Sequence, residues 1–293
     1  MKKYAPILII LAGCLWGTMG LFVRKLNSMG LSSMEIVELR CIIAALILFP
    51  VTFLRDRKLL KIGKKNLPSL ISSGIFSIVF FNFCYFSTIS IMNLSAAAIL
   101  LYTAPIFVML LSLVLFHEKL TGRKVLALVM AFGGCCLVSG IATASESLSV
   151  KGILLGLGSG LGYALYSIFS RVSLNQGLGS MTITNYTFLF AAIGGAFVTD
   201  FSVIGRAFSQ YGLFLVGFGI LYTVVTTVLP YLLYTAGLQH VENGAASVMA
   251  SVEPVVATML GFLVFSERPT ASTLIGILLV LVALMVLNFE KKK

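Results

Sequence analysis

Two stretches of the sequence, SVEPVVATMLGFLVFSE at Ser251–Glu267 and YTAPIFVMLLSLVLFHE at Tyr102–Glu118, share one pattern. Each has a proline deep in an apolar run that ends in a glutamate, and the later stretch adds Glu253 just before its proline. A proline inside an ordinary helix costs about 3 kcal/mol, and a charge at the centre of a membrane helix costs about 2.5–3.5 kcal/mol. Features this costly indicate a function.

The chain as a whole has the composition of an integral membrane protein. Its 293 residues are 59% apolar and 11% charged, whereas soluble domains are about 45–50% apolar and about 25% charged. Apolar stretches of about 20 residues, each able to cross a hydrocarbon core of about 30 Å as a helix, recur from end to end. The sequence therefore predicts an all-α membrane protein with ten transmembrane helices. The predicted spans are Tyr4–Val23, Met34–Leu54, Leu67–Ser90, Leu94–Phe116, Val125–Ala142, Gly152–Ser170, Met181–Phe201, Tyr211–Leu238, Gly244–Phe265 and Thr273–Phe289.

The net charge of +11 lies mostly at the ends of these spans, a placement that argues against a nucleic-acid partner. If the N terminus is inside, the inner segments hold 15 of the 21 basic residues, the outer segments hold five, and Arg40 lies within a span. Because cytoplasmic segments carry the excess of Lys and Arg, both termini are predicted to lie in the cytoplasm, with the protein in the inner membrane. Arg24 and Lys25 are a local exception to this pattern.

The two halves of the chain repeat each other. A shift of 149 residues aligns Pro105 with Pro254, and it also aligns Ala96 with Ala245, Ala97 with Ala246, Phe116 with Phe265, Glu118 with Glu267 and Tyr85 with Tyr234. At a shift of 147 residues, GLSSM at Gly30–Met34 aligns with GLGSM at Gly177–Met181. We therefore predict one five-helix repeat over residues 1–145 and a second over residues 150–293.

An odd number of spans in each half reverses the membrane orientation of the second half. Inverted repeats of this kind build transporters, because two halves related by an axis in the membrane plane expose a midplane site to either side in turn. The sequence therefore predicts two inverted five-helix repeats around a central cavity, and alternating access as the mechanism.

In its motifs the chain resembles the EamA branch of the drug/metabolite transporter superfamily. The resemblance is carried by Trp16-Gly17, by LRCIIAALILF at Leu39–Phe49, by the two proline-to-glutamate runs and by YLLYTAGLQHVENGAASVMASVEPVVA at Tyr231–Ala257. It implies a ten-helix, basket-like fold whose cavity is lined mainly by spans 1, 3, 4, 6, 8 and 9. It also implies transport of small organic solutes, among them amino acids, nucleosides and quaternary amines. Fold alone does not name the substrate or the coupling.

Glu253 is the central candidate for the site. It lies halfway along span 9, where it would balance a cationic substrate or carry a proton; the alternative is a carboxyl that locks two helices together. Pro105 and Pro254 are predicted to kink their spans and act as hinges, which frees the carbonyls of Leu101 and Ala250. Arg40 is a possible charge partner, with snorkelling to the interface or pairing with Glu35 or Glu38 as alternatives.

Polar aromatic residues are the other candidates for the cavity lining. They recur three residues apart, on one helix face, in spans 3, 6 and 8, and they would form aromatic walls with hydroxyl donors for a small amphiphilic solute or an organic cation. The alternative is an interfacial belt or hydrogen bonding between helices. The candidates are Trp16, Asn82, Tyr85, Tyr102, Tyr163, Tyr166, Thr227, Tyr231 and Tyr234.

Motifs of other protein classes are weak in this sequence. Leu11–Cys14 resembles a lipobox, but nine further spans follow it, and the five cysteines are interpreted as buried thiols. Gly156, Gly158, Gly160 and Gly162 form G-x-x-x-G pairs for close helix contact rather than a nucleotide fingerprint. No Walker loop or H-E-x-x-H motif occurs, so we expect no cofactor, no metal and no enzymatic activity.

The leading prediction is a secondary transporter that exports an amino acid, an amine or a related metabolite, with proton coupling left open. Uptake or passive facilitation of an amine or nucleoside-like solute is the alternative within transport. A membrane-embedded enzyme that acts on lipid and a non-transporting subunit are the alternatives outside it. The expected partners are a small-molecule substrate and the lipid bilayer, and the sequence leaves open whether the protein is a monomer or a homodimer.

Overall fold

The computed structural model describes residues 2–140, 149–266 and 269–288, and those residues form α-helices and no β-strand. Two π-helical segments, Ile75–Phe80 and Val224–Val228, interrupt the α-helices. In chain order the helices are α1 (Ala5–Gly17), α2 (Met19–Ser28), α3 (Ser33–Arg55), α4 (Leu67–Gly74), α5 (Phe81–Ile91), α6 (Leu94–Leu101), α7 (Ala104–Phe116), α8 (Gly122–Val138), α9 (Val150–Asn175), α10 (Ser180–Gly195), α11 (Phe201–Thr223), α12 (Leu229–Leu238), α13 (Asn243–Ala250), α14 (Glu253–Phe265) and α15 (Ala271–Asn288).

Within the described residues, seven helical stretches are long and apolar enough to cross a membrane, which confirms a multi-pass membrane protein. They are Lys2–Ser28, Ser33–Arg55, Lys64–Ile91, Leu94–Phe116, Val150–Asn175, Phe201–Leu238 and Asn243–Phe265. The other three predicted spans coincide with α8, α10 and α15, which are shorter. With 16 residues, α10 is about 24 Å long, less than a hydrocarbon core of about 30 Å.

The repeat seen in the sequence reappears in the bounds of the helices. When 149 is added to their residue numbers, α6 and α7 have the same bounds as α13 and α14. The first residue of the first π-helical segment likewise becomes the first residue of the second. Both α7 and α14 end on a residue in the left-handed region, His117 with φ 55° and Ser266 with φ 56°. Equivalent sequence positions thus adopt the same unusual backbone, and the chain has a two-repeat architecture.

Contacts between the halves follow the same symmetry. Helix α1 packs against α12, and their repeat equivalents α9 and α5 also pack against each other. In the same way α3 packs against α11, and their equivalents α10 and α4 form a second pair. Two further pairs, α3 with α10 and α8 with α15, each join equivalent helices of the two halves. The first half therefore packs against the second half throughout, and the centre of the molecule lies between them.

Glycines allow the closest of these helix contacts. On α8, a Cβ added to Gly134 would lie 2.7 Å from the carbonyl oxygen of Gly276 on α15, so the two backbones touch. On α9, a Cβ at Gly160 would lie 2.9 Å from the carbonyl of Leu100, and one at Gly162 would lie 2.9 Å from Phe81. Since helices in lipid associate through close packing of small residues, these glycines set the spacing between helices.

Substitution of Gly134 tests the contact between α8 and α15. We expect Gly134→Ala to lower the free energy of unfolding by about 1–3 kcal/mol, because the new methyl group overpacks the interface. Its neighbour Gly133 has no atom within 4 Å of an added Cβ, so Gly133→Ala is the matched control and should be neutral or slightly stabilising, given the better helix propensity of alanine. Thermal unfolding in detergent measures both variants, and equal midpoints would contradict the contact.

Candidate functional site

The site forms where spans 4 and 9 change from one helix to the next. Tyr102 and Thr103 join α6 to α7 in a short turn of near-helical backbone, and Ser251 and Val252 join α13 to α14 in the same way. Pro105 and Pro254 stand in the first turn of the helix that follows each break. A proline is tolerated there because its missing N–H has no intrahelical partner to lose.

Each break leaves a backbone carbonyl unpaired, as the sequence analysis expected. Within the described residues, no donor reaches the carbonyl oxygens of Leu101 and Ala250, whose regular partners would be the nitrogens of the two prolines. Both residues line one small central cavity with Tyr102, Tyr163 and Glu253. The cavity has a volume of about 20 Å³, room for one or two water molecules at about 10–15 Å³ each.

Glu253 occupies the first position of α14 and faces this cavity. The Tyr163 hydroxyl donates a hydrogen bond of 3.2 Å to its carboxylate. The amino-terminal end of a helix carries partial positive charge, which favours a carboxylate at this position. The other titratable groups in its surroundings are Tyr85, Tyr102, Tyr231 and Cys135, all of which are neutral in their ordinary state. Glu253 is therefore the acidic group of the cavity.

An aromatic chamber adjoins this cavity, and we define it by Trp16, Tyr163, Tyr166, Tyr231 and Tyr234. The Trp16 ring lies at its centre, with centroid distances of 6.2 Å to Tyr163, 5.2 Å to Tyr231 and 5.4 Å to Tyr234. The Tyr166 and Tyr231 rings meet edge to face at 4.7 Å. All five residues line a second small cavity. Tyr163 belongs to both cavities and separates them.

Some of the predicted tyrosines also join helices to each other. The Tyr166 hydroxyl lies 2.6 Å from the Thr235 hydroxyl, and the Tyr234 hydroxyl lies 2.7 Å from the Ser167 hydroxyl. Both pairs tie α9 to α12, so the cavity lining and the interhelical hydrogen bonding foreseen from the sequence occur together. Tyr85 stacks on Phe81 with a centroid distance of 6.2 Å and lies at the edge of the chamber.

Four predicted residues, Arg40, Asn82, Tyr85 and Thr227, line neither of the two cavities. Arg40 is buried, with 2% of its surface exposed, and it donates to the side-chain oxygen of Asn82 at 3.4 Å. Within the described residues no carboxylate lies within ion-pair distance of Arg40, so the structure pairs it neither with Glu253 nor with a neighbour on α3. It does not snorkel to the interface either. Thr227 is fully buried in the second π-helical segment and does not line the cavities.

Helix α1 passes directly across the break in span 9, a contact that the sequence analysis missed. A Cβ at Gly13 would lie 2.9 Å from the carbonyl oxygen of Ala250, and one at Gly17 would lie 2.7 Å from that of Glu253. The signal was present in the sequence, because Gly13 and Gly17 form a G-x-x-x-G pair on either side of Trp16. The glycines bring the Trp16 ring up to the break.

At one end of the molecule, side chains close over the start of α13. The Glu118 carboxylate accepts from the backbone nitrogens of Asn243 at 2.8 Å and Gly244 at 3.2 Å. Arg171 donates to the Asn243 side chain at 2.8 Å and to the carbonyl of Val241. Glu118 thus caps the start of α13. Its repeat partner Glu267 lies outside the described residues.

A large vestibule opens at the same end, and the sequence analysis did not foresee it. Its volume is about 1030 Å³, and it reaches Ala245 and Met249 on α13. Met249 is the chain neighbour of Ala250, which lines the central cavity. Within the lining, the Lys124 ammonium pairs with the Glu242 carboxylate. The remaining basic lining residues are Lys2, His117, Lys119, Arg123 and His240.

The sequence matches the model of the EamA-like transporter family over residues 3–140 and again over residues 150–289. The chain belongs to the EamA-like transporter family. This confirms the resemblance to the drug/metabolite transporter superfamily noted above. The two matches divide the chain in the same place as the repeat.

Relatives of known name are similar along their whole lengths. An uncharacterized transporter of Archaeoglobus fulgidus is 28% identical, over 97% of this chain and 96% of its own. The pseudopaline exporter CntI of Pseudomonas aeruginosa is 25% identical, over 100% of this chain and 98% of its own. A crystal structure with 18% identity aligns with a TM-score of 0.78, over 98% of this chain and 97% of its own, which shows the shared fold. This EamA-like chain is therefore a multi-pass membrane transporter.

Trp16 is the only tryptophan in the chain, so its fluorescence reports on the chamber alone. Because the side chain is 6% exposed and surrounded by tyrosines, we expect a blue-shifted emission that iodide quenches weakly. Trp16→Phe in the same detergent should remove the signal and is the control for it. An emission spectrum like that of free tryptophan, with strong iodide quenching, would contradict the packed chamber.

Proposed function

We propose that the chain is a secondary transporter that exports a small amine-bearing metabolite, such as an amino acid or an amine, across the cytoplasmic membrane. The observation that carries the proposal is Glu253, an acidic group placed where a span is broken and facing a central cavity. Aromatic rings and tyrosine hydroxyls stand next to it, and such a lining suits an ammonium group, which binds both carboxylates and aromatic faces.

Alternating access is the proposed mechanism, with ten spans arranged as inverted repeats over residues 1–145 and 150–293. The symmetric contacts between the halves support it, because each helix pair at the centre has a counterpart related by exchange of the halves. In this arrangement both termini lie in the cytoplasm, as the distribution of Lys and Arg predicts. The turns before Pro105 and Pro254 are the hinges.

The structure has an asymmetry that fits an inward-facing state. Ala245 lines the vestibule, whereas its repeat partner Ala96 is buried, with 8% of its surface exposed. With the proposed topology, the vestibule opens to the cytoplasm, where an exporter collects its substrate. The likeness to a pseudopaline exporter supports export as well. Uptake and passive facilitation are the alternatives, and flux measurements in both directions decide between them.

Ligand screening comes first. Detergent-purified protein is heated with single amino acids, polyamines, quaternary amines and nucleosides, and the unfolding midpoint is recorded. A ligand present at about 100 times its dissociation constant adds about 2.7 kcal/mol to the stability, which shifts the midpoint measurably. Stabilisation by amine-bearing compounds supports the proposal, and stabilisation by nucleosides alone would overturn it.

Glu253→Gln tests the role of the carboxylate in coupling. In proteoliposomes loaded with the strongest ligand of that screen, we expect wild-type flux to depend on pH and the variant flux to lose that dependence, because glutamine binds no proton. The surrounding phenols and thiol cannot replace the carboxylate. Glu35→Gln is the matched control, since Glu35 lies at the start of α3 and bonds to Ser32. Unchanged pH dependence in Glu253→Gln would remove Glu253 from the coupling.

Cysteines at the repeat-related positions Ala96 and Ala245 test alternating access. With Cys14 replaced by serine, we expect Ala245→Cys to react with a membrane-impermeant thiol reagent from the vestibule side and Ala96→Cys to be protected. An outward-driving substrate gradient should reverse the two rates, because opening one side closes the other. The buried cysteines elsewhere in the chain serve as the unreactive background. Rates that rise or fall together would contradict the mechanism.

A further inference from the structure

Two opposite charges at the centre of the molecule have no charged partner. The described contacts of Glu253 include one hydrogen bond, from the neutral Tyr163. Arg40 donates to the amide of Asn82, contacts the sulfur of Met19 and lies beside the Tyr222 hydroxyl, and its Nε has no partner. A buried ion that lacks a counter-ion costs several kcal/mol. The sequence thus retains two costly charges where uncharged residues would pack more cheaply.

Glu253 and Arg40 do not compensate each other. Neither is among the electrostatic partners of the other, and aromatic rings of the chamber stand between them. Tyr163 contacts Glu253, Trp16 lies 6.2 Å from Tyr163 and 5.2 Å from Tyr231, and Tyr231 lies beside Arg40. Tyr231 is also among the groups around Glu253, so the same ring lies near both side chains.

The nearest carboxylate in the sequence does not neutralise Arg40 either. Glu38 is on the same helix α3, two residues earlier, and side chains two residues apart point to different faces. Its carboxylate lies against Gly195 on α10, and one of its oxygens has no hydrogen-bond partner. Arg40 instead lies beside Asn82 on α5, Tyr222 on α11 and Tyr231 on α12.

We infer that Arg40 binds the carboxylate of a dipolar substrate whose ammonium group binds Glu253, with the rings of the aromatic chamber beside it. The inference rests on the proposed function and narrows its substrate class. A substrate with both groups at its ends neutralises both buried charges. The basic vestibule would concentrate the carboxylate end of such a molecule.

A matched set of probes tests this assignment. The long dipolar probe is para-aminomethylbenzoate, its methyl ester lacks the carboxylate charge, its N-acetyl derivative lacks the ammonium charge, and glycine is the short control. Binding is measured by thermal stabilisation and by the fluorescence of Trp16. In wild type we expect the long acid to bind more tightly than its ester, its N-acetyl derivative or glycine.

Variants then assign each charge to one end of the probe. Arg40→Gln should weaken binding of the acid by about 30-fold or more, as expected for loss of a buried charge partner, and leave the ester unchanged. Glu253→Gln should weaken the binding of both the acid and the ester. Asn82→Asp places a carboxylate against Arg40 and should have the same selective effect as Arg40→Gln while retaining the buried arginine. Arg206→Gln, on the exposed face of α11, is the matched control and should change nothing.

The outcomes separate this inference from the proposed function. If acid and ester bind wild type equally, or if Arg40→Gln and Asn82→Asp weaken both alike, Arg40 does not bind the carboxylate, while transport of an amine stands. If Arg40→Gln does not fold, Asn82→Asp decides the question, because a merely structural Arg40 predicts unchanged acid binding in that variant. If no amine-bearing probe binds, esters included, the proposed function and this inference both fail.

Discussion

The structure depends on one constraint, which is that a backbone carbonyl in hydrocarbon must find a partner within the protein or face a polar cavity. Pro105 and Pro254 each remove the donor that a carbonyl one turn earlier requires. The two breaks therefore have to lie at the centre of the molecule, where Leu101 and Ala250 face one small cavity. The remaining helices close around this point and exclude lipid from it.

Close packing across the breaks follows from the same constraint. Helix α1 reaches the second break through Gly13 and Gly17, and α9 reaches the first through Gly160, whose added Cβ would meet the carbonyl of Leu100. These two helices are related by the repeat, so each half covers the break of the other half. The proposed alternating access requires this reciprocity, because the same contacts are then available when the two halves exchange roles.

The sequence predicted the helices and the repeat well because both follow from patterns of neighbouring residues. Apolar length marks a span, and the recurrence of the proline-to-glutamate run gives the shift that aligns α6 and α7 with α13 and α14. The spacing of the aromatic candidates also predicts that they share helix faces, and in the structure Trp16, Tyr163 and Tyr231 line the same cavity. Side-chain contacts between residues far apart in the sequence have no such local pattern. Arg40 bonds to Asn82, 42 residues away, and Thr227 turns into a buried π-helical segment rather than toward the cavity.

Some candidate site residues differ between the two halves, whereas the residues that shape the helix breaks are the same in both. At the shift of 149 residues, Glu253 aligns with Ala104, and Asn82 aligns with Tyr231. At the shift of 147 residues, which aligns the starts of α3 and α10, Arg40 aligns with Thr187. The scaffold positions, by contrast, are kept in both halves, as the two prolines and the two left-handed helix ends show. The proposed alternating access requires equivalent hinges in the two halves, but the dipolar solute that we infer has two unlike ends. Glu253 and Arg40, which carry the proposed contacts with those ends, therefore need no counterpart in the other half.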